Sequence, residues 1–410
     1  MKRRPWVGLG AVAAMLYAAQ RRSVRPRISP EPRGYSAIAA GTVLGAVGLL
    51  LSGFGLLLDP RQAYFSYLTA YVTGLSLVLG ALIMVMLSHL TGAKWFAPLR
   101  RVGESAAATS PLFAILFLPL IPGMHLLYPW VPPLGVMDPS VLESIRIKRA
   151  WLNTGSFLFR AVIYFAVWIG VSLLLRHWSI RMGSIGAGRL NSRQRALSAA
   201  GLPAVALTLT FAAFDWMMSL SPDWSSTIYG AYVFGGGFLA GLGLLAGTVS
   251  LAERAGLLDR EVPVDSYHSL GKLLLTFVIF WVYLGFCQLL IIWIANLPHE
   301  VAWYVRRLHG SWGLLAAFLL FGNFVVPFLC LLFREVKRDP KALATVGIWL
   351  LAMHYLDIYW LLMPQLHGGG VRVHWLDLTT LSAVGGTTLG YGAWQLRRQA
   401  VGRLQHGFEV

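Results

Sequence analysis

The chain has 410 residues, of which 57% are hydrophobic and only 12% charged, and it carries a net charge of +17. Such a composition excludes a soluble globular fold, because the apolar residues fall in runs of about 20, the length a bilayer-spanning helix needs. The positive charge invites a nucleic-acid reading, but no RNA- or DNA-binding motif accompanies it.

Residues 1–35 form a basic tail whose apolar stretch, 5–20, is flanked by Arg3, Arg4, Arg21 and Arg22. It resembles a signal peptide, yet cleavage would export a strongly basic segment. An interfacial helix or cytoplasmic tail lying against anionic lipid is the expectation. Spans are then predicted at 36–58, 63–90, 106–122, 151–175, 196–219, 227–252, 268–296, 308–333, 342–363 and 375–396. The third is interrupted by Pro111, Pro119 and Pro122. Two connections are long: 123–150, rich in Pro and aromatics and suited to a cap or docking surface, and 176–195, basic and Gly-rich. Residues 397–410 are expected to be a tail. The expected fold is therefore an all-α integral membrane protein, one domain over 36–396, with about ten helices in two bundles.

Counted over these loops, the N-terminal tail, the even-numbered loops and the C-terminal tail hold 25 of the 34 Lys/Arg, and the odd-numbered loops 7. The positive-inside rule then places both termini in the cytoplasm, with a multi-pass chain in the cytoplasmic (inner) membrane of a bacterium. The charge thus follows topology, and nucleic acid is not an expected partner. Cys287 and Cys330 both lie in spans and no CxxC is present, so no iron–sulfur cluster or c-type haem is expected in this chain. Nor are His89, His125, His354 and His367 paired at comparable depth, as a buried haem would need.

Ionisable groups inside spans are costly and mark routes for ions or protons. Asp215, His354 and Asp357 fall in the outer half, with His354 three residues before Asp357 and so on the same helix face. Two carboxylates and an imidazole suit a proton relay; the alternative is that each Asp pairs with a Tyr or Arg and only fixes packing. Arg160 needs a counter-charge, for which Asp215 and Asp357 are both candidates. In the inner half lie His89 and Lys272, with Arg100 and Glu104 in the loop after His89. Lys272, Thr276, Tyr283 and Cys287 recur at helical spacing on the seventh span, a stripe that implies a polar interior. Finally, FDWMMSLSP and LDIYWLLMP each place an Asp seven residues before a Pro, a weak internal echo.

Four stretches carry a resemblance: 89–104 (HLTGAKWFAPLRRVGE), 214–238, 270–300, and 326–340 with 353–364 (MHYLDIYWLLMP). Together they resemble the NrfD-like, or polysulfide reductase membrane-subunit, family, and within it the larger ten-span ActF-type subunit of bacterial alternative complex III. The likeness covers spans two to nine. It implies a non-catalytic membrane subunit of a respiratory quinol:cytochrome c oxidoreductase, with no tightly bound cofactor of its own. The expected partners are an iron–sulfur subunit, a multihaem cytochrome and a homologous NrfD-like subunit, which would hold the redox centres and the quinone. It also implies proton conduction through half-channels, with Asp215, Asp357, His354, His89, Lys272 and Tyr283 the candidate pathway residues. The family's usual SLEPHW reads SLSPDW here, with Ser221 and Asp223 in place of an acid and a His.

Overall fold

The computed structural model describes residues 35–132, 138–181, 187–255, 257–258 and 261–406. The predicted helix at 5–20 lies outside them. Among the described residues there are helices and turns but no strand. Nine helical stretches among them are long and apolar enough to cross a bilayer. The chain is thus an all-helical protein of multi-pass membrane type.

Helices α1 (Tyr35–Leu58) and α2 (Pro60–Thr91) are divided at Asp59, where Pro60 ends one helix and starts the next. The Asp59 side chain caps α2 by accepting from the Gln62 amide, and Gly92 at φ 63° closes its other end. The third span begins earlier than predicted. It is α3 (Arg100–Ala107) followed by α4 (Ser110–Phe117), so Arg100 and Glu104 are helical rather than in a loop.

The connection before the fourth span holds α5 (Pro139–Ile147) and folds back as a cap. Tyr128 donates to the Trp216 carbonyl at 3.2 Å, and Lys148 to the Pro222 carbonyl at 2.7 Å. Next come α6 (Thr154–Arg181) and α7 (Ala187–Trp216), which consume most of the predicted 176–195 loop. The second half holds α8 (Tyr229–Arg254), α9 (Val264–Ala295), α10 (Pro298–Leu308), α11 (Gly310–Leu319), α12 (Val326–Leu332), α13 (Pro340–Leu362) and α14 (Trp375–His406). A π-helical segment, Leu320–Val325, joins α11 to α12 where one straight span was expected, and its Gly322 carbonyl takes the Trp349 indole N–H at 2.7 Å. The predicted boundary at 396/397 falls inside α14, which continues to His406.

Two groups of helices form. The first is α2, α3–α4, α6 and α7; the second is α8, α9, α11–α12 and α13; α2 and α8 join them, and α1 with α14 packs on α2. The joint is backbone on backbone. A Cβ built on Gly80 would lie 2.6 Å from the Gly237 carbonyl oxygen, and one on Gly243 2.8 Å from that of Gly347. Only glycine permits such approach, the way membrane helices commonly pack in the absence of a hydrophobic drive between them. It brings α2, α8 and α13 close enough for short side chains to meet.

Candidate functional site

At that joint α13 contributes two groups, Asp357 and His354, and α2, α8 and α9 one each, Ser76, Tyr232 and Trp281. Asp357 on α13 is 1% exposed and accepts from the Tyr232 hydroxyl at 2.6 Å and the Trp281 indole at 3.0 Å. Both donors are neutral, and among the described residues no Lys or Arg pairs with it. His354, 2% exposed and one turn earlier, places Nε2 2.7 Å from the Ser76 hydroxyl on α2. Ser76 also donates to the Thr73 carbonyl at 2.8 Å. With its one hydrogen so used, Ser76 accepts from His354, which puts the imidazole proton on Nε2 and leaves Nδ1 an acceptor. Nδ1 is buried and has no partner. A Cβ on Gly236 would lie 3.4 Å from both this nitrogen and Asp357 Oδ2, so the two groups border one small space kept open by a glycine.

Asp215 has a different setting. It is fully buried and takes a two-toothed ion pair from Arg160, with Nε to Oδ2 and Nη2 to Oδ1 both 2.8 Å. The Trp151 indole at 2.9 Å and the Tyr164 hydroxyl at 2.7 Å complete its bonds. Arg160 also stacks 3.9 Å over the Trp151 ring. Every acceptor direction is taken, and protonating this carboxylate would strip Arg160 of its counter-charge. Of the two candidate partners for Arg160, the structure selects Asp215. The two Asp motifs share an indole and a phenol donor, yet the donors come from non-equivalent helices: α6 and the turn before it for Asp215, α8 and α9 for Asp357. The C-terminal ends of the two motifs do meet, where Gln365 donates to Ser221.

Between Ser76 and the Asp215 region is a cavity of about 30 Å³ lined by Leu75, Leu79, Trp168, Leu209, Trp216 and other apolar side chains. Ser76 is its one polar lining residue, and no hydrogen bond among the described residues links Asp215 to the His354–Asp357 pair.

The inner candidates are not drawn together. His89 is half-buried in the last turn of α2, with an unpartnered Nε2. Lys272, Thr276 and Tyr283 face outward from α9, Tyr283 being 58% exposed. The expectation that their stripe lines a polar interior is thus corrected: helical spacing groups the residues on one face, but the buried face of α9 carries Leu274, Val278, Trp281 and Gln288 instead.

Other polar residues, not singled out from the sequence, complete the site. Gln62, Ser66, Thr69, Thr73 and Ser76 form a buried stripe along α2, spanning 14 residues or about 21 Å. At its far end Ser66 donates to Asp377 Oδ1 at 2.5 Å, and His367 Nε2 lies 2.7 Å from Gln62 Oε1. The spacing of three and four residues was the available signal. Burial, with Arg372 close by, holds the His367 imidazole below its ordinary value.

No protein-family model matches the chain, and no curated protein matches it.

Proposed function

We propose that this chain is a non-catalytic membrane subunit of a quinol:cytochrome c oxidoreductase of the alternative complex III type, located in the bacterial inner membrane. In this reading it conducts protons coupled to quinol oxidation in its partners. The observation that supports conduction most is the Asp357–His354–Ser76 arrangement. Asp357 has no cation to hold it ionised, and the bare Nδ1 of His354 borders the same space. A proton passed from Asp357 to Nδ1, directly or by one water, is balanced by release of the Nε2 proton to Ser76, whose own hydroxyl proton must at the same time leave the Thr73 carbonyl and pass on along α2. Imidazole relays in this way because its two nitrogens exchange roles. From Ser76 the hydroxyls of α2 lead toward Asp377, Gln62 and His367 at the other end of the helix. In the proposal the redox centres and the quinone belong to the iron–sulfur, multihaem cytochrome and homologous membrane subunits.

A second reading, a structural anchor for peripheral redox subunits, is favoured by the outward polar stripe of α9 and by the ion-paired Asp215. The test is the intact complex purified from its source membranes and reconstituted in vesicles. Asp357→Asn should lower the number of protons moved per electron while quinol oxidation continues. An unchanged ratio would leave the anchor reading. If the chain co-purifies with no iron–sulfur or haem protein, the complex itself is the wrong assignment.

A further inference from the structure

At the end of the bundle where α9 starts and α12 ends, basic residues gather without acids to neutralise them. Lys272, Arg334, Lys337 and Arg338 all lie within electrostatic reach of His268. Among the described residues none of the four forms an ion pair. Lys337 is only 8% exposed; its stem lies against α9, where a Cβ on Gly271 would come within 2.7 Å of its Cγ. His268 Nδ1 is buried and has no hydrogen-bond partner. Of the acids nearby in sequence, Asp339 is spent capping α13 through the Lys341 and Ala342 amides, and Asp265 and Glu335 are exposed and form no ion pair with the four among the described residues. Like charges gathered this closely repel one another, and an anion among them offsets that repulsion.

We propose that this cluster binds the phosphate of an anionic phospholipid, with its acyl chains lying along α9 and α12. A lipid fits better than a free ion because the cluster opens onto apolar surface: Leu329, Leu332 and Phe333 are 52%, 52% and 63% exposed beside it, and Ile279 and Phe286 continue the face on α9. Lys272 is two helical turns along α9 on this outward side, placed for its stem to follow the acyl chains and its ammonium to reach the phosphate. Basic pockets between membrane helices on the cytoplasmic side hold such headgroups. The site stands whether or not the chain conducts protons.

The full-length chain, purified in neutral detergent, is titrated with phosphatidylglycerol or phosphatidylcholine and bound lipid counted by native mass spectrometry. The wild type should bind phosphatidylglycerol in preference to phosphatidylcholine. Removing exposed charge by Arg334→Gln with Arg338→Gln, which leaves buried Lys337 in place, should weaken that binding roughly thirtyfold, about fivefold per cation. The control pair Arg193→Gln with Arg195→Gln removes equal charge elsewhere and should change little. Equal binding of both lipids, or equal loss in the control pair, would overturn the proposal. So would displacement of the lipid by millimolar inorganic phosphate, which would mark a free-anion site instead. An acidic protein captured at wild-type affinity by the Arg334/Arg338 variant has the same force if lipid binding is also unchanged.

Discussion

Asp215 and Asp357 each accept an indole N–H and a phenol O–H, and differ in one neighbour: Arg160 pairs with Asp215, while among the described residues nothing charged pairs with Asp357. Their Asn variants should therefore diverge. In Asp357→Asn the amide oxygen still accepts from Trp281 and the amide nitrogen donates to the Tyr232 oxygen, so the melting temperature should stay within a few degrees. Asp215→Asn leaves Arg160 without its counter-charge and should cost about 2–4 kcal/mol, somewhat under the usual loss for a fully buried pair because Arg160 is 12% exposed. Replacing Arg160 by Gln in the same variant should recover part of it, and denaturant or thermal unfolding of the four-member cycle checks the coupling. Gly236→Ala separates packing from proton transfer. Its Cβ makes ordinary 3.4 Å contacts and favours helix, so stability should hold, while filling the space between His354 and Asp357 should lower protons per electron. Should Gly236→Ala pump normally, no water or direct transfer uses that space. At the far end of the stripe, His367 is held below the unfolded value of about 6.5, so folded chain binds this proton less readily than unfolded chain. Its contribution is complete above pH 6.5 and is lost as pH falls through that value. The fall in melting temperature from pH 7 to 5.5 should be smaller in His367→Gln than in the wild type. Sequence named Asp215, Asp357 and His354 because charge in an apolar run stands out. It passed over Ser76 and Thr73, since hydroxyls that bond their own helix carry no such contrast.

Helices were legible because each apolar run is long enough and bounded by Pro, Gly or charge. Which face turns inward was not legible for α9, whose apolar residues surround it. A periodic stripe fixes what shares a face and is silent on what that face meets, so Lys272 and Tyr283 were placed inside when they lie outside. The same reasoning explains α14. Its Gly and Thr residues lower its apolarity, yet they face α1: a Cβ on Gly41 would lie 2.4 Å from the Gly390 amide nitrogen, and one on Gly48 2.3 Å from that of Ala383. Small residues here serve close approach, while Leu378 and Leu389 are exposed, 63% and 47%. Gly41→Leu should push the two helices apart and cost about 1–3 kcal/mol, seen as a lower unfolding midpoint in detergent. The Gly41 contact with Gly390 lies 13 residues along α14 from Asp377, the one residue of this pair on the proposed path, so proton transfer by the surviving folded complex should be unchanged. Loss of transfer at full stability would mean that this pair acts on the site.

For the whole molecule, the antiparallel run of α1 against α14 brings its two ends together: the Arg397 guanidinium stacks 3.2 Å over the Tyr35 ring. Those two positions therefore share one side of the membrane, whatever the number of crossings between them. The expectation that this side is the cytoplasm rests on the lysine and arginine distribution, with 25 on the loops and tails grouped with the termini and 7 on the others. If α14 crosses in spite of its glycines and threonines, the chain makes ten crossings and every connection alternates accordingly. The prediction uses a Cys287→Ser, Cys330→Ser background with one new cysteine at a time at an exposed position. Thr91→Cys, at the end of α2, should react with a membrane-impermeant maleimide only after the cells are opened. His125→Cys, in the cap over α6 and α7, and Asn296→Cys, at the end of α9, should react on intact cells. Reaction of His125→Cys and Thr91→Cys from the same side would mean that α3–α4 does not cross, leaving an odd number of crossings that the contact of Arg397 with Tyr35 does not allow. Gln62 at the start of α2, and His367 bonded to it, would keep their side even then, because α1 and α2 precede α3–α4, so the direction of proton release in the proposal rests on the side that Thr91→Cys reports.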